Sequence, residues 1–170
     1  TGIITADADF KRIKIAGLVF RAEAEGDDVP GGTAEMSLKA EVDLDQAAGS
    51  LMLSNLQIEG PEVGAQGDIK VTELTKSPQV NGNLSLSPTD VKKLAALFGV
   101  KIDTADEKAL TSVSGDLKIS TSASTIRVAP LKLKLDDSNI DGELQVGTGR
   151  SSAVRFKINV DDIDLDRYLP

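Results

Sequence analysis

The chain has 170 residues, 40% of them hydrophobic but only 3% aromatic, with no Trp, Cys or His and a net charge of −8. It is too apolar for disorder, and its charge argues against nucleic acid and against an anionic bilayer surface as partners. Missing Cys excludes disulfides and thiolate metal sites, and missing His removes the commonest general base and metal ligand. No apolar run approaches the ~20 residues that span a bilayer. With no signal peptide and Thr1 in place of Met, the chain reads as an excised piece of a longer protein.

In chain order, Ile3 to Ile13 reads as the tail of an upstream unit, and Lys14 to Ala24 as a strand. Gly26 to Gly32, rich in Gly, Asp and Pro, reads as a turn. Strands are expected over residues 33–45, 50–59, 65–74 and 79–86. In the second of these, Leu51 and Leu53 are followed by Leu56 and Ile58. That step of three breaks the period of two and predicts a bulge. A helix is predicted over about 87–98, with Ser87 as N-cap, Pro88 at the first helical position, Asp90 in the first turn and Gly99 as the stop. Its apolar stripe, Val91, Leu94, Ala95 and Phe98, should be buried. Residues 100–110 form a linker with a helical turn near Ala105 to Leu110. Four more strands follow over 111–121, 125–135, 138–147 and 152–161.

The two runs of four strands match each other. At a spacing of 75 residues, Leu38 meets Val113, Val42 meets Leu117, Leu44 meets Ile119, Leu51 meets Ile126, Leu53 meets Val128, Leu56 meets Leu131 and Gly67 meets Gly142. The phase break recurs at Ala129-Pro130. The spacing then becomes 74, so that Leu84 meets Ile158, Leu86 meets Val160 and Asp90 meets Asp164. Asp9, Asp90 and Asp164 each open a short pattern of acid, apolar, any, basic, apolar, which reads as the closing phrase of a unit. Repeated supersecondary units imply a stacked, nearly one-dimensional architecture. The expected layout is 1–32 as the end of a preceding unit plus a strand, 33–99 as one repeat with its helix, 100–110 as linker and 111–170 as a second repeat.

Several motifs suggest chemistry and fail on context. Asp137-Ser138-Asn139-Ile140-Asp141-Gly142 begins like an EF-hand loop, but Thr148 stands where the closing Glu belongs and strands flank it. The run Asp161, Asp162, Asp164, Asp166 reads as a solvated, helix-starting face. Asn83-Leu84-Ser85 is a glycosylation sequon of little specificity. Gly147-Thr148-Gly149-Arg150 lacks the Lys and helix of a phosphate loop and reads as a hairpin connection. No catalytic, metal or cofactor site emerges, and no enzyme activity is expected.

What remains is a large aliphatic face, either packed under a second sheet as a sandwich core or left open as a groove by one curved sheet. Ten strands ~4.8 Å apart span ~48 Å, enough to hold acyl chains. In the second unit the alternation assigns to this face Leu117, Ile119, Ile126, Val128, Leu131, Leu133, Leu144, Val146, Phe156 and Ile158.

The stretch Leu131-Lys132-Leu133-Lys134-Leu135-Asp136-Asp137-Ser138-Asn139-Ile140-Asp141-Gly142-Glu143-Leu144, with Phe156 and Ile158 and the close Asp164-Leu165-Asp166-Arg167-Tyr168-Leu169-Pro170, resembles the AsmA family. Leu86-Ser87-Pro88-Thr89-Asp90 with Leu94, and Thr104-Ala105-Asp106 with Leu110, are similar to it as well. The resemblance covers about residues 50–170. It implies a mainly β fold of repeated antiparallel four-strand units forming one curved, groove-like sheet. It also implies a periplasmic protein attached to the inner membrane of Gram-negative bacteria through an anchor outside these residues. Such a protein would take part in moving phospholipid between membranes and in outer-membrane assembly. Its partners would be phospholipid acyl chains and the rest of the same polypeptide. The resemblance supplies no catalytic residues. The rival reading is an adaptor β-module with a closed sandwich core, pairing through its edges with neighbouring repeats or partner proteins.

Overall fold

Alternating aliphatic and polar residues, interrupted by Gly, Pro and Asp, produce strands joined mostly by short hairpins. The computed structural model describes residues 1–26, 33–122, 124–148 and 153–170. Ten strands follow one another: β1 (Ile3–Ala6), β2 (Arg12–Glu25), β3 (Thr33–Asp45), β4 (Ser50–Glu59), β5 (Gly64–Thr72), β6 (Gln79–Thr89), β7 (Val113–Ser122), β8 (Thr125–Leu135), β9 (Ser138–Gly147) and β10 (Val154–Val160). A short helix, α1 (Val91–Ala96), follows β6, and a 3-10 turn at Leu165–Arg167 follows β10. All strands lie in one antiparallel sheet in sequence order, so each is bonded only to its neighbours in the chain. The turn expected over 26–32 falls, from residue 27 onward, outside the described residues, as does the Gly149-Arg150 end of the expected β9–β10 connection.

The sheet is open and curved. Bulges or register shifts interrupt six of its nine strand pairings, which rules out a flat ribbon. The two breaks expected from sequence are both present. The β4–β5 register slips between Leu53 and Leu56, and the β8–β9 register between Val128 and Leu131. At the first, Asn55 takes a φ of 52° and its N–H donates to the Asp68 carboxylate at 3.1 Å. At the second, Pro130 occupies the matching place and has no N–H to donate. The residue matching Asp68 is Glu143, which pairs with Arg127 at 2.8 Å instead.

The pairing of β4–β6 recurs in β8–β10. Leu51, Leu53, Leu56 and Ile58 face Val71, Ile69, Gly67 and Ala65; 75 residues on, Ile126, Val128, Leu131 and Leu133 face Val146, Leu144, Gly142 and Ile140. Leu84 faces Gly67 as Ile158 faces Gly142. The match of β3 to β7 needs correction. Leu38 faces Ile58 and Gly115 faces Leu133, while Val42 faces Leu53 and Ile119 faces Val128. The true partners are therefore Leu38 with Gly115 and Val42 with Ile119, two residues further on than the alternation suggested. A slide of two keeps every side chain on its face, so hydrophobic pattern alone cannot detect it.

The closing phrase holds at two of its three places. Asp90 caps α1, accepting from Lys93 N–H at 3.0 Å, and Asp164 caps the 3-10 turn, accepting from Asp166 N–H at 3.2 Å. Asp9, by contrast, lies in the β1–β2 turn, and its phrase opens β2 at Arg12. The helix expected over 87–98 is six residues long. Ser87, Pro88 and Thr89 stay in β6, because Thr89 pairs with Val113 across a register shift. Thr89 is also buried, its hydroxyl bonded to Ser87 C=O. The stop at Gly99 is as expected. Its φ is 70°, its N–H donates to Ala96 C=O, and Val100 N–H donates to Ala95 C=O, the Schellman pattern. The stripe is not buried as expected: Val91, Leu94 and Ala95 are only half-buried, and Phe98 is 78% exposed.

A Cβ at Gly67 would land on the backbone carbonyl oxygen of Asn83, and one at Gly142 on that of Lys157. Glycine permits this close strand approach. Gly67→Ala and Gly142→Ala are each expected to destabilise by ~1–3 kcal/mol as overpacking does. Matched drops in urea midpoint would reflect the repeat.

Candidate functional site

Because side chains alternate and the register is continuous, the apolar residues line up as rows crossing the sheet. One row runs Ile15, Val42, Leu53, Ile69, Gly82, Ile119, Val128, Leu144, Phe156. Another runs Leu56, Gly67, Leu84, Leu117, Leu131, Gly142, Ile158. A third runs Phe20, Leu38, Ile58, Ala65, Leu86, Gly115, Leu133, Ile140, Val160. The register brings all ten residues assigned to the aliphatic face, including Ile126 and Val146, onto one side. It also extends that side through the first unit and adds Ile140, Val154 and Val160, which the sequence reading left out.

Among the described residues no second layer lies over this face. The only buried apolar residues among those described are Ala40, Leu56 and Ala109. The total accessible surface is 11283 Å², against about 8,000 Å² for a compact monomer of this size. Ile126, Phe156 and Ile158 are exposed and the other seven assigned residues are half-buried. All four phenylalanines are more than half exposed. Leu56 is nonetheless 4% exposed beside Gly67, an enclosure that a one-layer sheet gives a leucine by curving around it.

The opposite face is polar and its charge is divided. On β2–β5 it carries Arg12, Lys14, Arg21, Lys39 and Lys70 against Glu23, Glu25, Glu35, Glu41, Asp43, Asp45, Glu59 and Asp68, a balance of −3. On β7–β10 it carries Lys118, Arg127, Lys132, Lys134, Arg155 and Lys157 against Asp116, Asp141 and Glu143, a balance of +3.

The closing phrase proves to be a clasp, which sequence reading missed. Arg167 Nε donates to Asp106 at 2.7 Å, and Ala105 N–H donates to Leu169 C=O at 2.7 Å. Tyr168 Oη donates to Asp136 at 3.1 Å. Asp136 also accepts from the N–H groups of Leu110, Thr111 and Ser112 at 2.8–3.0 Å. Chain end, linker and β8–β9 turn are thereby held together. Partial burial pushes the Asp136 carboxyl up, but the N–H groups of Leu110 and Ser112, Tyr168 and Thr111 N–H together outweigh it and leave its pKa below the usual range. The N–H of Lys108 and then Arg167 lower Asp106. Burial and Asp136 raise Tyr168.

Of the acidic motifs, the carboxylates of Asp137, Asp161 and Asp164 are engaged within the chain. Asp161 accepts from Asn139 Nδ2 at 2.6 Å and from Asn139 N–H at 2.8 Å, which lower its pKa. Ser138 and Asp141 lie in β9. Among the described residues no three acidic side chains are grouped to hold a metal ion. No helix among them is long and apolar enough to cross a membrane. No family model, curated protein or solved structure matches the chain.

Both clasp carboxylates ionise more readily in the folded chain, so the unfolded state binds more protons at low pH. Their stabilisation is complete above the ordinary carboxylate pKa, about 4, and is lost as pH falls through their lowered values. Asp136→Asn is expected to unfold more easily at neutral pH and to lose part of the acid dependence below about pH 4, read by urea midpoints across pH.

Proposed function

We propose that this chain is a non-enzymatic, lipid-conducting module that holds acyl chains on its aliphatic face. The observation that carries this reading is the set of apolar rows crossing up to nine strands, with no layer over them among the described residues. Monomeric soluble proteins rarely expose contiguous apolar surface beyond a few hundred Å² unless it meets a partner. Acyl chains suit rows of Leu, Ile and Val with few aromatics, because they are held by area, at ~25 cal/mol per Å² removed from water, and not by directed hydrogen bonds. Such a face is tolerant of head group.

The AsmA resemblance extends the proposal to a periplasmic setting, attachment to the inner membrane and a part in phospholipid movement and outer-membrane assembly. An adaptor role for the same sheet draws on its free edges at β1 and β10, where Ile3, Ile4, Val154 and Phe156 are exposed.

Purified protein is expected to carry phospholipid detectable by mass spectrometry. Phe156, 71% exposed, tests the edge of the face. Phe156→Asp should fold with a stability change within ~0.5 kcal/mol, as exposed positions do. It should also lose bound lipid, since a carboxylate among acyl chains is unpaired. Lipid-free wild-type protein, or a variant with undiminished lipid, defeats the proposal and leaves the adaptor role.

A further inference from the structure

The polar face of the second unit holds a depression of about 600 Å³ between β7 and β10. Arg127, Arg155 and Lys157 line it with Gln145 and Thr125, and Glu143 is its one carboxylate. Glu143 is bonded to Arg127 at 2.8 Å and lies opposite Lys157 in the β9–β10 register. Arg155 lies opposite Gln145, and neither it nor Lys157 has a carboxylate in salt-bridge range among the described residues. The depression is therefore cationic, on the half of the face whose balance is +3, in a chain whose total is −8.

A neighbouring depression of about 440 Å³ makes the contrast. There Lys118 and Lys132 are offset by Asp68 and Asp116, and no sign of charge prevails. A concavity lined by one sign focuses the field and concentrates counter-ions. Guanidinium forks match phosphate oxygens two at a time, and a nearby ammonium, hydroxyl and amide complete the donor set.

We infer that the depression between β7 and β10 binds a phosphate group, presented by a small soluble ester or by an anionic lipid head group. The charged lining of this site is on the face away from the aliphatic rows, and Leu144 and Phe156 of the first row border it at the β9–β10 edge.

The test uses the whole chain and two probes. Glycerol 3-phosphate is titrated at low salt while amide resonances are followed. Vesicles of phosphatidylcholine, with and without phosphatidylglycerol, are used in cosedimentation. Saturable shifts are expected around Arg127, Gln145 and Lys157, weakening as salt rises. The double variant Arg155→Gln, Lys157→Gln should lose about tenfold or more in affinity, equivalent to ~1.4 kcal/mol, with the rest of its spectrum unchanged. Lys70→Gln, on the acidic half, should bind as wild type. Saturation by glycerol 3-phosphate that the double variant loses assigns a soluble ester. Binding only to phosphatidylglycerol vesicles, lost in the double variant, assigns the lipid head group. Absence of both responses, or equal loss in Lys70→Gln, overturns the site.

Discussion

Everything in this molecule depends on the continuity of one antiparallel register. Side chains on a strand alternate between faces, so a row of leucines survives from strand to strand only while every pairing keeps its phase. Here the phase holds through all ten strands, although bulges interrupt six of the pairings. Each interruption adds residues without turning the next apolar side chain to the polar side. At Leu53 to Leu56 one extra residue is inserted, Ser54 and Asn55 standing opposite the single Asp68, and Leu56 returns to the face that Leu53 left.

Without a second layer, the sheet has to be stable while much of its apolar surface stays in contact with water or a ligand. Backbone ladders, mutual shelter along the rows and the end clasp supply what an ordinary core would. The clasp matters most where the chain takes its longest detour. Between Thr89 and Val113 the path leaves the sheet through α1 and the linker before β7 rejoins β6. Asp136, held by the N–H groups of Leu110, Thr111 and Ser112 just ahead of β7 and by Tyr168, ties that detour to the chain end. The phrase Asp-Arg-Tyr-Leu thus has a structural explanation in this chain.

Much of the fold was legible because it rests on period and punctuation. Nine strand positions, both phase breaks, the Gly67–Gly142 match and the stop at Gly99 follow from residues close in sequence. Three errors share one cause, that local signals do not report long-range pairing. Ser87-Pro88-Thr89 has a good helix-start sequence, but the β7 partner keeps Thr89 in a strand. The β3–β7 match slipped by two because a shift of two leaves the alternation intact, and Gly115 takes a place where an aliphatic residue was sought. Phe98 completes a helical stripe, yet α1 has no layer to bury it against. The aliphatic face was legible as a pattern; whether anything covered it was not, since sandwich and open groove share the same alternation. Net charge misled in the same way. The total of −8 concealed a polar face with an acidic half and a basic half.

The strict sequence order of the strands also bears on how the molecule comes together and apart. Each strand completes its pairing with the one just before it, so apart from the detour between β6 and β7 no ordering step closes a long loop. The sheet can therefore grow one strand at a time as the chain is released from a ribosome or a translocation channel, with each new edge templating the next. The same order makes failure local. Tension applied at the two termini peels β1 first at one edge, and β10 at the other only after the clasp has opened, leaving the remaining strands paired.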